Sequence, residues 1–304
     1  MSLFQIKKQI DTIRKTKQIT NAMKLVSTAK YNKIVEESKH YYEYSRMVRK
    51  LVYHVIRPNI PTFSQADLSG YIGQAPIDYH HMLVERPIKK TGYLIITSDK
   101  GFAGDYNSTL IKKVDEFFKQ NHPNKDDLVV LGIGDPIIKY CKDNQIELVM
   151  ENHNLSDYPK YTEVQKIIQK SIELYNEKFY DSLVVMYNYS ANIMLSRFKS
   201  KVILPLKNIH FDEDEFDKID YIIEPTPEDV LDELLTKFVE SQIYGAIIDA
   251  KTSEQASRMQ AMSQATNNAD DLIFKLQKKY NHERQYKITN EILDIINGTQ
   301  AQQE

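Results

Sequence analysis

The chain has 304 residues, 41% of them hydrophobic, so it is long enough to bury one or two cores. Its net charge of −2 lacks the basic excess of a nucleic-acid binder, and its one cysteine, Cys141, excludes an intrachain disulfide and points to a reducing compartment. No apolar run nears the roughly 18 residues of a membrane span, and Lys7, Lys8 and Asp11 interrupt any signal-peptide core, so a soluble or membrane-peripheral chain is expected.

Residues 1–57 contain neither proline nor glycine. Leu3, Ile6, Ile10 and Ile13 recur at steps of three and four, the seam of a coiled coil. After Ile13 the seam turns polar or small, at Lys17, Thr20, Lys24 and Ser27. The arm carries 13 Lys/Arg against 4 Asp/Glu. Taken alone, so basic a helix reads as a solvated face or a nucleic-acid patch.

Residues 58–90 read as loop, around Pro58, Pro61, Gly70, Gly73, Pro76 and Pro87. His80 and His81 lie near Asp78 and Glu85. Adjacent histidines point in different directions, and no helical i,i+4 pair exists, so a surface loop is expected rather than a metal site.

Strands and helices then alternate. Tyr93–Thr97 and Leu128–Ile133 read as buried strands, Ile146–Met150 as a short one, and Leu183–Tyr189 and Lys201–Leu206 as the closing pair. Helices are predicted over Asn107–Gln120, Pro136–Asn144 and Thr162–Phe179, the last with an apolar stripe from Val164 to Tyr175. Seven of the nine glycines fall between 70 and 134, which marks a separately folded block. The alternation argues for a largely parallel α/β sheet of Rossmann-like order. The loop Ser98–Gly104 has the place of a phosphate loop but lacks its Gly-Lys-Ser/Thr, and Gly132-Ile133-Gly134 lacks a third glycine. Tight strand-to-helix turns account for both.

Residues 208–224 carry seven acids against Lys218, an acidic surface element. Thr226-Pro227-Glu228-Asp229 is then a helix start, with Thr226 as N-cap and Pro227 at the first helical position. From Glu228 to Asn297 there is one glycine, Gly245, and no proline. One helix over that span would be roughly 105 Å long. Large apolar residues fill its first third, whereas the middle turns to Ala256, Ala261, Ala265 and Ala269, which let a second helix approach closely. Residues 226–304 carry 8 basic against 13 acidic groups, so an antiparallel pairing with the basic N-terminal arm follows. The fold expected is α/β: coiled-coil arms at 1–57 and 226–304, with a loop region and a Rossmann-like domain at 58–225. No catalytic triad, paired carboxylates or metal spacing stands out.

Two stretches carry more than architecture. One is Ile10 to Lys30, centred on Ala22-Met23-Lys24-Leu25-Val26. The other runs from Val239-Glu240-Ser241-Gln242-Ile243-Tyr244 through Ser253-Glu254-Gln255-Ala256-Ser257-Arg258-Met259 to Arg284-Gln285-Tyr286-Lys287-Ile288-Thr289-Asn290-Glu291. Together they resemble the γ subunit of the rotary F-type ATP synthase, bacterial type, over almost the whole chain. Ser98-Asp99-Lys100-Gly101 and Asn107 resemble the family's loop after its first strand, and Ile222-Ile223-Glu224-Pro225 its lead into the long helix. Asp105 stands where the family usually has the second glycine of a pair, the 58–90 loop is longer than in bacterial members, and Gln300 to Glu304 extend the end. The cysteine pair of redox-regulated chloroplast members is absent, and no organellar presequence is evident.

The resemblance implies a central rotor shaft, one copy per complex, peripheral on the cytoplasmic face of a bacterial cell membrane. It would pass torque between a proton-driven membrane c-ring and a catalytic hexamer of three α and three β subunits, with the ε subunit at its foot. It implies no cofactor, no metal, no nucleic acid and no active site of its own. It also implies that Arg284 and Gln285 meet a loop of subunit β, with Thr289 and Glu291 one to two turns further on. Arg258, with Met23 and Lys24 on the facing arm, matches other positions tied to β contact and coupling. Such exposed, long-reach contacts are each worth about 0.5–1 kcal/mol, weak enough to break at every step. Two other readings compete: a nucleotide-dependent α/β enzyme with helical arms, and a coiled-coil scaffold or nucleic-acid binder.

Overall fold

The computed structural model describes residues 2–56, 81–84, 86–192, 195–206, 224 and 226–301. Its elements in chain order are α1 (Leu3–Ile56), β1 (Thr91–Ile96), α2 (Tyr106–Asn121), β2 (Leu128–Ile133), α3 (Asp135–Asp143), β3 (Leu148–Asn152), α4 (Tyr161–Asn176), β4 (Ser182–Asn192), β5 (Leu195–Leu204) and α5 (Pro227–Ala301). His80 and most of the 58–90 loop, the acidic stretch 208–223 with Ile222 and Ile223, Pro225, and Gln302 to Glu304 lie outside the described residues. The chain divides into two compact units. One is Lys30–Gly101 with Asp105–Ser257; the other is Met1–Ala29, Phe102–Gly104 and Arg258–Glu304. Each long helix contributes to both.

The first unit is built on a five-stranded sheet of order β3-β2-β1-β4-β5. The pairs β1–β2, β1–β4 and β2–β3 are parallel, and β4–β5 is an antiparallel pair at one edge. Every residue of β1 and β2 is buried, as a sheet covered on both faces requires. Their side chains alternate between two cores. Tyr93, Ile95, Leu128 and Val130 join Leu110, Val114 and Phe118 of α2 and Ile137 and Cys141 of α3. Leu94, Ile96, Val129 and Leu131 face Val164, Ile168 and Tyr175 of α4, Val48 and Val52 of α1, and Leu235, Val239, Ile243 and Ile247 of α5. Each such side chain contributes about 1.5–3 kcal/mol by leaving water. Burial pushes the Cys141 thiol up to about 12, which leaves little reactive thiolate.

Two ends differ from the sequence expectation for one reason. Helix α4 stops at Asn176, short of Phe179, because Lys178 turns left-handed at φ 60°. The Phe179 N–H then donates to Leu174 O at 2.9 Å and the Lys178 N–H to Tyr175 O at 3.1 Å, a Schellman closure. Gln145, at φ 54°, closes α3 in the same way, with the Ile146 N–H on Cys141 O at 2.9 Å. Ile146 therefore belongs to the helix stop, and the strand begins at Leu148. A left-handed non-glycine residue costs roughly 1–2 kcal/mol. Lys178→Gly is accordingly expected to raise unfolding stability by about 1 kcal/mol. A urea midpoint at or below that of the parent would contradict it.

Along α1 the seam continues through this unit at Ile34, Ser38, Tyr41, Ser45, Val48 and Val52, in steps of four and three. It faces the first third of α5. The Tyr41 hydroxyl donates to Ser241 O, and Tyr42 donates to Asp249 Oδ1 at 2.6 Å. A Cβ on Gly245 would lie 2.5 Å from the Tyr41 hydroxyl oxygen, which explains a glycine at this point of α5. At its start, the Asp229 N–H donates to Thr226 Oγ1 at 3.2 Å, the expected N-cap.

Candidate functional site

All seven residues implicated in coupling fall in the other unit. There the seam is Leu3, Ile6, Ile10, Ile13, Lys17, Thr20, Lys24 and Ser27, each half-buried or buried, as the spacing predicts. From α5 it meets Met262, Thr266, Ala269, Ile273, Leu276 and Tyr280, again in steps of three and four. Thr20 and Thr266 hydroxyls bond at 2.8 Å and Lys17 pairs with Asp270 at 2.6 Å, which fixes an antiparallel register. The ion pair is more than a third exposed on both sides and is worth little, about 0–1 kcal/mol. Ala103 is buried, and a Cβ on Gly104 would lie 3.5 Å from Ala261 Cβ, so the 102–104 loop comes close to α5.

The seven residues form two groups. Met23 and Lys24 are half-buried on α1, and the register sets them opposite the turn around Met262. Arg258 lies one turn earlier on α5 and is buried at 7% exposure. It departs from the exposed-donor expectation, because the seam of α5 passes through position 258 whatever its charge. Arg284, Gln285, Thr289 and Glu291 are exposed. They begin 26 residues further on, about 39 Å along a helix. The Thr289 hydroxyl donates to its own helix at Gln285 O, 2.9 Å. Lys287 reaches Glu291 at 3.6 Å with both ends exposed. Arg284 and the Gln285 side chain point into water and can engage a partner.

Sequence reasoning passed over the apolar side chains here. Ile288, Ile292 and Leu293 are about half exposed, and Phe274 and Tyr286 are more so. A helix with apolar groups on several faces needs a sleeve around it. The signal was readable: beyond Glu283 isoleucines continue at 288, 292, 295 and 296, still in steps of three and four. Among the described residues an open groove of about 670 Å³ also runs along this unit, lined by Gln5, Lys8, Gln9, Thr12, Ile13, Leu272 and Leu276.

In the sheet unit, the carboxyl ends of β1 and β2 are where a doubly wound fold would hold a nucleotide. Here the Asp135 N–H at the start of α3 donates to Asp99 Oδ1 at 2.7 Å, and the Asn154 N–H to Asp99 Oδ2 at 2.8 Å. A carboxylate thus already sits where a helix N-terminus would attract a phosphate, and it repels one. Asn107 closes the loop by two bonds to the Ser98 backbone, and Tyr106 bonds to Ala250 O of α5 at 3.1 Å. Among the described residues no group of His, Cys, Asp and Glu is placed to hold a metal. His81 bonds to Asn176 at 2.8 Å.

A protein-family model described as ATP synthase matches residues 2–301. The ATP synthase gamma chain of Enterococcus faecalis is 39% identical over 300 residues, covering 99% of this chain and 98% of that one. That of Streptococcus gordonii is 41% identical over 302 residues, with 99% of each covered. The chain belongs to the ATP synthase γ chain family. The γ chain is a non-catalytic subunit of that complex. Among solved structures, the rotor of the Euglena gracilis mitochondrial ATP synthase superposes with a TM-score of 0.62 at 15% identity, over 94% of this chain and 98% of that one. The likeness is one of fold: a γ-type sheet block with two long helices. Among the described residues no helix is long and apolar enough to cross a membrane.

Proposed function

We propose that this γ-family chain is the central rotor shaft of a bacterial F-type ATP synthase. It carries torque between an ion-driven membrane c-ring and a hexamer of three α and three β subunits, in one copy per complex on the cytoplasmic face of the cell membrane. The observation that carries the reading is the distal part of α5, where exposed Ile288, Ile292 and Leu293 lie among Arg284, Gln285 and Thr289. Apolar side chains at that exposure require a surrounding partner, and reachable polar groups provide contacts weak enough to exchange as the shaft turns. Arg284 and Gln285 bear on a loop of subunit β, while Met23, Lys24 and buried Arg258 set the pairing of the two helices beneath that contact. The three stretches 1–57, 58–225 and 226–304 then act as arm, foot and arm, the foot meeting the ε subunit and the c-ring.

The carboxylate of Asp99 at the start of α3 speaks against a nucleotide-dependent enzyme. The purified chain, free of other subunits, is expected neither to hydrolyse ATP nor to bind it. Turnover that persists after contaminating α and β subunits are removed would overturn that expectation. The direct test is affinity purification of the tagged chain from gently solubilised membranes. One copy should be recovered with three copies each of two larger subunits, and recovery as a lone chain would sink the proposal.

A further inference from the structure

The segment between β3 and α4 is joined to the long helices at Leu155, Asp157, Tyr158 and Pro159. The centre of this joint is Asp157, 9% exposed. Its Oδ2 accepts from Lys30 Nζ of α1 and from Lys100 Nζ of the β1–α2 loop, both at 2.7 Å, and its Oδ1 from Gln255 Nε2 of α5 at 3.4 Å. Two residues earlier, Leu155 O accepts from Lys251 Nζ of α5 at 3.4 Å, a lysine only 4% exposed. One residue later, Lys33 of α1 stands 4.6 Å from the centre of the Tyr158 ring. Burial opposes ionisation of Asp157, but the hydrogen bonds from Lys100 and Lys30 outweigh it and hold the carboxyl below the usual range. The carboxylate therefore stays charged at neutral pH.

Elsewhere the two helices hold the sheet largely by apolar contact, which has no preferred direction and lets packed helices slide. Charge-assisted hydrogen bonds resist displacement along a defined direction. We infer that Asp157 is the positioning residue of an ionic joint through which torque passes between the α/β block and the two shaft helices. The inference rests on the rotor reading. Neither Asp157 nor its lysines touch reacting atoms; they set the angular stiffness of the shaft at its base.

The test uses the assembled complex in membrane vesicles, with the ratio of ion pumping to ATP hydrolysis measured as the opposing gradient rises. Asp157→Asn keeps the shape and loses the charge. Without an opposing gradient its hydrolysis should stay within about twofold of the parent, while pumping against a full gradient falls about three- to tenfold. Asp157→Glu should recover most of that loss, and Lys100→Gln should show a smaller one. A purely structural role would instead lower assembled complex, and so both activities, in proportion. That result, or an unchanged ratio in a coupled complex, overturns the joint. Should Asp157→Asn fail to assemble, Lys100→Gln at its half-exposed lysine decides on the same ratio. A parent chain that yields no coupled complex overturns the rotor reading, and the joint with it.

Discussion

Replacing Arg284 and Gln285 together by alanine is expected to lower coupled ATP synthesis about 5- to 30-fold while assembly is retained. The range follows from two exposed contacts of about 0.5–1 kcal/mol each, summed and converted at about 1.4 kcal/mol per factor of ten. Both side chains are exposed, so their removal leaves no cavity and no unsatisfied buried group. Alanine also suits a helix interior. Assembly, helicity and the amount of complex in the membrane should therefore match the parent. Synthesis at the parental rate by a fully assembled double variant would show that these two residues are not the torque-bearing contacts.

The largest effect on folding is expected from Gly134→Ala. Gly134 ends β2 at φ 97°, a conformation that L side chains rarely adopt. An added Cβ would lie 2.5 Å from Thr97 Oγ1 and 2.8 Å from Thr97 O. The carbonyl is backbone, held where β1 leaves the sheet, with the Thr97 N–H on Ile133 O at 2.8 Å. Backbone strain of about 1–3 kcal/mol adds to overpacking of about 1–3 kcal/mol, so a loss of about 2–6 kcal/mol is expected. Gly101→Ala is the control: a Cβ added there would meet nothing within 4 Å, and stability should stay within about 0.5 kcal/mol of the parent. Urea unfolding of the purified chain reads both. Equal midpoints for the two variants would contradict the close approach at Thr97.

The long helices were legible in the sequence because a coiled-coil seam is written locally. Leu3 to Ser27 kept a step of three and four even where the residues turned polar, and each of those positions is half-buried or buried. The strands were legible as short apolar runs, but a run carries no direction. That β4 and β5 pair antiparallel, from Leu183 with Leu204 to Asn192 with Leu195, is set by tertiary pairing that the runs themselves do not spell out. Arg258 was the hard case. A charged residue in a polar helix reads as solvent-facing, and only the partner helix reveals that position 258 faces inward. Asp157 could not be found at all, since its partners at 30, 100 and 255 are brought together by tertiary folding. Asp99 stood in a loop noticed for its glycines, while its own carboxylate settles the chemistry of the crevice.

The antiparallel pairing of the two ends also sets a schedule for biogenesis. Thr20 and Thr266 are 246 residues apart in sequence. At a ribosomal pace of about 5–20 residues per second, the first arm waits about 12–50 s before its mate is made. The sheet block, whose strands and crossover helices lie between them, can close in that interval. A nascent arm with isoleucine along its entire seam would spend the wait as an aggregation hazard. Lys17, Thr20, Lys24 and Ser27 keep the exposed stripe wettable until the last residues leave the ribosome.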